Sequence, residues 1–227
     1  MAQQQLDSKL ELGRIVDIRK KVFSQVKVCP YILRVEISTA TNTVQKFSNL
    51  GSQIGDERPI SQVRFSPNNE ILATGSWSGT VKLWNVPACT PISALRGHKD
   101  RVGGVAWHPQ ATISQSQDAV NLVSGGGEGN VNLWSLNRLL SHSYQLAALV
   151  DILHDSESPL AVLRGHQNRV CRVAFHPSGQ YVGSASFDTT WRLWDINTSK
   201  ELLLQEGHSK EVYSIDFQND GSLVASG

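Results

Sequence analysis

Ser184, Asp188 and His166 are the residues that first suggest chemistry. A serine four positions before an aspartate, with a histidine 18 positions upstream, supplies the hydroxyl, base and orienting carboxylate of nucleophilic acyl transfer. The same stretch, SASFDTTWRLWD (184–195), carries Trp194 six positions after Asp188. An indole has no part in such a triad. A buried indole N–H needs an acceptor, however, a buried carboxylate needs donors, and a histidine can bridge such groups through its two nitrogens. A hydrolase and an internal hydrogen-bond chain are both compatible with these residues, and what surrounds them decides.

The chain repeats itself. RGHKDRVGGVAWHP (96–109), RGHQNRVCRVAFHP (164–177) and EGHSKEVYSIDFQND (206–220) are one pattern, with an aromatic nine positions after each histidine. ATGSWSGTVKLWN (73–85), SGGGEGNVNLWS (124–135) and SASFDTTWRLWD form a second. From the aromatic to the Leu-Trp tryptophan the spacing is 19 residues in the first and third copies and 27 in the second. The excess is a Gln- and Ser-rich insertion near 110–119. From tryptophan to the next histidine it is 14 residues twice and 32 once, which places a second insertion within 137–160, read as a short helix around SYQLAALVDIL. With both set aside, every repeat is 42 residues long.

Each copy reads as four short strands. In the third, Val170 to Phe175 alternates, a His-Pro-Ser-Gly turn leads to Tyr181–Ser186, a tight turn spans 187–189, and Trp191–Asp195 and Glu201–Gln205 follow. The expected fold is all-β. Four strands per 42 residues, with Gly-His at one end and Leu-Trp-Asp near the other, resembles a WD-repeat β-propeller blade. That resemblance implies a structural role for the polar residues. In that family the Gly-His histidine, a Ser or Thr on the second strand, the turn Asp and the third-strand Trp form a hydrogen-bonded tetrad within a blade.

Carried over residue by residue, the tetrad is His166, Ser184, Asp188 and Trp194 in the third repeat and His98, Ser124, Glu128 and Trp134 in the second. The first repeat offers Thr74, Ser78 and Trp84, with Asp56 where histidine should stand, and the fourth offers His208 and Ser226. A catalytic trio has no reason to recur with graded decay, so no catalytic residue is assigned. Gly125 to Gly129 opens no helix and carries no Lys-Ser/Thr pair, which argues against a phosphate loop and for a turn between the second and third strands.

Composition agrees with much buried strand. Charged residues make up 18%, below the roughly 25% typical of globular chains. With 21 Lys and Arg against 20 Asp and Glu the net charge is +1, so no global field draws the chain to nucleic acid, although a local patch is not barred. Cys29, Cys89 and Cys171 lack metal or redox spacing and read as free buried thiols. The start, MAQQQLDSKLELGR, lacks signal-peptide order, no apolar run reaches 18 residues, and Arg19-Lys20-Lys21 is too short for a nuclear signal. No membrane, metal, cofactor or small-molecule substrate is expected.

The domain reading is an extension over 1–50, one amphipathic helix plus an extended segment, then WD40 repeats over 51–227. Blades fall at about 60–95, 96–160 with both insertions, 164–205, and 206–227. The last stops one residue after Ser226, leaving about three and a half blades, and the expectation is a partial propeller from a longer one. Two stretches, GSQIGDERPISQVRFSP (51–67) and 172–223, resemble the WD-repeat subunit of the spliceosomal U4/U6 small nuclear ribonucleoprotein. Its marks here are QIGDERP opening the first blade without Gly-His, the doubled tryptophan of TWRLWD, and LQEGHS. The resemblance implies a nuclear, non-catalytic scaffold of the U4/U6 and U4/U6-U5 particles, bound to their proteins and to U4/U6 snRNA. Residues 1–50 do not match that subunit's amino-terminal region, and both insertions depart from its spacing. The alternative is a WD40 adaptor of another pathway, such as ubiquitin ligation or chromatin regulation.

Partners are expected on the top rim. The residue before each tight turn (Trp77, Gly127, Phe187) and the third after each Gly-His histidine (Arg101, Arg169, Glu211) should lie there, an aromatic beside an arginine suiting a protein hot spot or a stacked base. Lys99, Arg172 and Lys210 could meet phosphates; solvated surface charge is the plainer reading.

Overall fold

A computed structural model describes residues 52–136 and 158–227. The helices expected within 1–50 and around 143–153 lie outside the described residues, as does Cys29. Among the described residues there are 14 strands and no helix. None of their segments is a helix long and apolar enough to cross a membrane.

The strands form antiparallel meanders in chain order. The first blade is β1 (Ile60–Phe65), β2 (Ile71–Ser76), β3 (Thr80–Asn85) and β4 (Pro91–Arg96). The second is β5 (Val102–Trp107), β6 (Leu122–Gly126), β7 (Val131–Trp134) and β8 (Ala161–Leu163). The third is β9 (Val170–Phe175), β10 (Tyr181–Ser186), β11 (Trp191–Asp195) and β12 (Lys200–Gln205), and a two-stranded sheet, β13 (Ile215–Phe217) with β14 (Val224–Ser226), follows. Even irregularities repeat: the register slips between Leu83 and Trp84 on β3 and between Leu193 and Trp194 on β11. In each case the extra residue, Ile92 or Leu202, lies on the fourth strand opposite the tryptophan.

The fourth strand of the second blade starts at Ala161, just beyond the 96–160 span read from the sequence. Its three residues show too little alternation to mark it. Gly125 and Gly126 belong to β6, so the tight turn begins only at Gly127. Cys89 and Cys171 are free thiols, half-buried rather than buried.

The core lies between blades, not within them. Ala73, Val81, Leu83 and Leu95 of the first blade pack on Val102, Val105 and Trp107 of the second. Val123, Val131, Leu133 and Leu163 pack on Val170, Val173 and Val182 of the third. Ala185 and Trp191 pack on Val212 and Ile215. Alternation within each strand produces this, because each sheet has two buried faces and each face needs a neighbouring sheet. First strands of successive blades touch directly, β1 on β5, β5 on β9 and β9 on β13. Two polar links reinforce the first of these junctions: the Val105 N–H donates to Gln62 Oε1 at 3.0 Å, and the Trp107 indole donates to the Arg64 carbonyl at 2.9 Å.

The insertion at 110–119 is folded down against the second blade. Ala111 is fully buried in the first core cluster, and the Ser135 hydroxyl donates to the Gln117 carbonyl at 2.5 Å. Asn121 ties it in from both ends of its carboxamide, donating to Gln115 and Ser116 and accepting from the Leu136 N–H.

Candidate functional site

In the third blade, β10 supplies Ser184, β11 supplies Trp194, the turn between them supplies Asp188, and the loop before β9 supplies His166. His166 Nδ1 lies 2.8 Å from Asp188 Oδ2, His166 Nε2 lies 2.7 Å from Ser184 Oγ, and the Trp194 indole donates to Ser184 Oγ at 2.8 Å. An ionised carboxylate can only accept, so Nδ1 carries the proton; Nε2 then accepts from the serine hydroxyl, whose oxygen accepts from the indole. Every member is satisfied. The serine oxygen is enclosed and already engaged by Trp194, with Ser184 fully buried and His166 nearly so. No carbonyl substrate can reach it, which removes the hydrolase reading on geometric grounds.

The second blade repeats the arrangement with a longer acid. His98 is 2.6 Å from Glu128 Oε1 and 2.7 Å from Ser124 Oγ, and the Trp134 indole donates to Ser124 at 2.8 Å. The extra methylene of Glu128 is accommodated because Gly126 leaves room: a Cβ there would lie 2.2 Å from His98 Nδ1. In the two-stranded sheet, His208 Nε2 lies 2.8 Å from Ser226 Oγ.

The first blade divides the chain in two. Trp84 donates to Thr74 Oγ1 at 2.9 Å, and Thr74 in turn donates to the Lys82 carbonyl at 3.3 Å, so a backbone oxygen takes histidine's place. Ser78 is not in that pair. Its hydroxyl donates to Asp56 Oδ2 at 2.6 Å, while Lys82 Nζ donates to the Gly55 carbonyl at 2.9 Å and stands 3.9 Å from Asp56. The short Asp56 side chain stays at the turn and serves it.

Electrostatics follow burial. Burial pushes the Asp188 carboxyl up, but hydrogen bonds from Thr190, His166 and the Gln167 N–H outweigh it and bring its pKa down to about 2. Burial pushes His166 below 6.5 despite its Asp188 partner, and does the same to His108. A histidine held neutral in this way binds fewer protons folded than unfolded, so stability rises with pH. The contribution is complete above the unfolded value of 6.5 and is lost as pH falls from there through the depressed folded values. The urea midpoint is therefore expected to be level above about pH 7 and to fall as the pH drops below about 6.5. An unchanged midpoint across that window would remove these histidines from the stability argument.

The role of His108 was not announced by the sequence. Its Nε2 donates to the Gly179 carbonyl at 3.1 Å while its Nδ1 accepts from the Gln110 N–H at 3.0 Å, and its ring stands edge-on to Phe175. His176 repeats this toward the Gly221 carbonyl, 3.1 Å away, and Phe217. These are latches from one blade's turn to the next. Gly179 meets two demands, a φ of +75° and a histidine ring 2.2 Å from where a Cβ would stand. The recurring His-Pro pair was the available signal.

Of the residues expected on the rim, Arg101 Cζ lies 5.0 Å from the Trp77 ring centroid, joining the second blade to the first, and Arg169 Cζ lies 3.6 Å from the Phe187 ring. Trp77 is 49% exposed. Gly127 leaves the equivalent place empty of side chain, and the Asp100 carboxylate lies over it. Glu211 is exposed but does not stack. The ring edge-on to Phe187, centroids 4.7 Å apart, is instead Tyr213, 60% exposed. Its place in the repeat holds Gly103 and Cys171 elsewhere, so comparing copies hid it. Lys99 and Lys210 are exposed and Arg172 is half-buried. Among the described residues no group of three His, Cys, Asp or Glu side chains could hold a metal ion.

The family model for the WD domain, G-beta repeat, matches residues 47–85, 89–135, 157–195 and 199–227. The chain belongs to the WD40 family. An uncharacterized WD repeat-containing protein of Schizosaccharomyces pombe is 43% identical over 180 residues, covering 78% of this chain and 34% of that protein. U4/U6 small nuclear ribonucleoprotein PRP4 of Saccharomyces cerevisiae is 37% identical over 183 residues, covering 77% and 34%. U4/U6 small nuclear ribonucleoprotein Prp4 of Mus musculus is 50% identical over 82 residues, covering 36% and 16%. This WD40 chain thus spans about a third of the length of the first two relatives, and relatives of the U4/U6 name agree with the likeness of the QIGDERP and TWRLWD stretches.

Proposed function

We propose that this WD40 chain is a non-catalytic scaffold of the U4/U6 and U4/U6-U5 small nuclear ribonucleoproteins in pre-mRNA splicing, working in the nucleus. Partner proteins of those particles, and U4/U6 snRNA, meet its rim. The observation that carries this reading is the 37% identity, over 77% of the chain, to a protein named as a U4/U6 small nuclear ribonucleoprotein. The geometry supports a binding role: the polar residues that could do chemistry are consumed by internal hydrogen bonds, while Trp77, under the Arg101 guanidinium, and Tyr213 are exposed. Aromatic and arginine side chains in such pairs give contact area at low entropic cost and suit either a protein hot spot or a nucleobase.

The experiment is affinity capture from nuclear extract with the tagged chain, quantifying U4 and U6 RNA against U1. Both RNAs are expected to be enriched, and the double variant Trp77→Ala with Tyr213→Ala is expected to reduce recovery by about tenfold, the loss of one hot-spot contact. Folded chain that recovers neither RNA would overturn the splicing reading in favour of another pathway.

A further inference from the structure

The first three blades each bond the turn between second and third strands to the loop in front of the first strand by the same backbone link. The Trp77 N–H donates to the Pro59 carbonyl at 2.9 Å, the Gly127 N–H to the Arg101 carbonyl at 2.7 Å, and the Phe187 N–H to the Arg169 carbonyl at 3.0 Å. A side-chain pair, reaching from the loop to the next residue of the turn, secures the link. In the second and third blades the loop supplies a histidine and the turn an acid, His98 with Glu128 and His166 with Asp188.

In the first blade the roles are exchanged. The loop supplies the acid, Asp56, and the turn supplies the Ser78 hydroxyl, which donates to it at 2.6 Å. The Asp56 side chain is only 10% exposed, so its charge needs a cation close by. β3 provides one. Lys82 stands opposite Thr74 in the strand register, as Asn132 stands opposite Ser124 and Arg192 opposite Ser184. The Asn132 carboxamide has no hydrogen-bond partner and Arg192 turns to Glu201, whereas Lys82 donates to the Gly55 carbonyl and stands 3.9 Å from Asp56. Burial pushes the Asp56 carboxyl up, but bonds from Ser78, Ser76 and the Glu57 N–H, with the Lys82 charge, outweigh it and hold its pKa below the ordinary value.

The consequence falls on Trp77. Its N–H is held by Pro59, three residues after Asp56, the residue after it is held by Asp56 itself, and its ring is met by Arg101 at 5.0 Å. Two of these three tethers run through Asp56 or the segment it anchors. We propose that Asp56 is a positioning residue for partner binding: with Ser78 and Lys82 it clamps the 55–59 segment to the turn and so aims the Trp77 ring at the U4/U6 particle. A ring held ready in this way loses less freedom when its partner arrives. The inference rests on the proposed function, in which Trp77 is a contact residue.

Capture of U4 and U6 RNA from nuclear extract, compared across a double-mutant cycle, tests it. Asp56→Ala is expected to lower recovery about fivefold in the otherwise unchanged chain and to have no further effect beside Trp77→Ala, because no ring is then left to aim. Recovery by Asp56→Ala equal to that of the unchanged chain, or the same fold loss in both backgrounds, overturns the proposal. The Trp77 indole N–H resonance, assigned by its disappearance in Trp77→Phe, gives a second measurement that needs no partner. It is expected to shift in Asp56→Ala while the resonances of the buried Trp134 and Trp194 keep their places. A Trp77 resonance that stays, or that moves together with those two, overturns the clamp. If the unchanged chain recovers neither RNA, the splicing reading fails and this resonance still decides whether Asp56 positions Trp77. Lys82→Met, which removes the cation and leaves the acid, takes the place of Asp56→Ala if that variant does not fold, with the same outcomes expected.

Discussion

Gly103→Ala is expected to lower the stability of the chain by about 3 kcal/mol. A Cβ at Gly103 would stand 2.1 Å from the Val170 carbonyl oxygen and 3.0 Å from Cys171 Cα. Both are backbone atoms of β9, the first strand of the next blade, and cannot rotate away as a side-chain tip could. Relief requires β5 and β9 to separate, which opens the second core cluster where Val170 and Val173 are buried and weakens close-packed contacts along the junction. The Gly103 backbone shows no left-handed φ, so the whole effect is close approach. Urea denaturation followed by tryptophan fluorescence reads it. A loss below about 1 kcal/mol would show that the two strands part freely and that the junction is looser than these distances imply.

Trp194→Ala is expected to cost about 4 kcal/mol, and Trp194→Phe about 1 to 2 kcal/mol. The indole is 2% exposed, belongs to the second core cluster, and stands edge-on to His166 at 6.2 Å between centroids. Alanine leaves a cavity walled by sheets that are held in place from both sides, so little of it collapses. Phenylalanine fills much of the volume but removes the donor to Ser184, leaving that oxygen with His166 alone. The difference between the two variants separates packing from hydrogen bonding at one position. Equal losses would mean that the hydrogen bond, not the volume, dominates.

How much of this was legible in the sequence depends on whether a feature repeats. Strands β9, β10 and β11 begin and end where alternation and turn residues place them, because a half-buried strand between turn residues leaves period-two apolarity. The polar chains of the second and third blades were implied by the resemblance to a WD-repeat blade, whose offsets bring a serine, an acid and a tryptophan together by the register of adjacent antiparallel strands. Where the pattern degenerates, spacing misleads: Ser78 stands at the acid's position in the first repeat but bonds Asp56, because Thr74 finds its second partner in a backbone carbonyl. Features specific to one blade left no signal. Gly103 occupies a position held by Ser61, Cys171 and Tyr213 elsewhere, and its need for glycine comes from one carbonyl 67 residues away in the chain. The exposed Tyr213 and the three-residue β8 were hidden for the same reason.

The placement of apolar side chains between sheets gives the molecule no common centre. Each leaf is wedged by its immediate neighbours, and among the described residues each core cluster joins successive leaves. Such a stack behaves as a linear chain of coupled units, in which a defect at one seam leaves distant seams intact and disorder spreads by peeling rather than by collapse. The second and third leaves, each gripped on both sides, are then the last to let go.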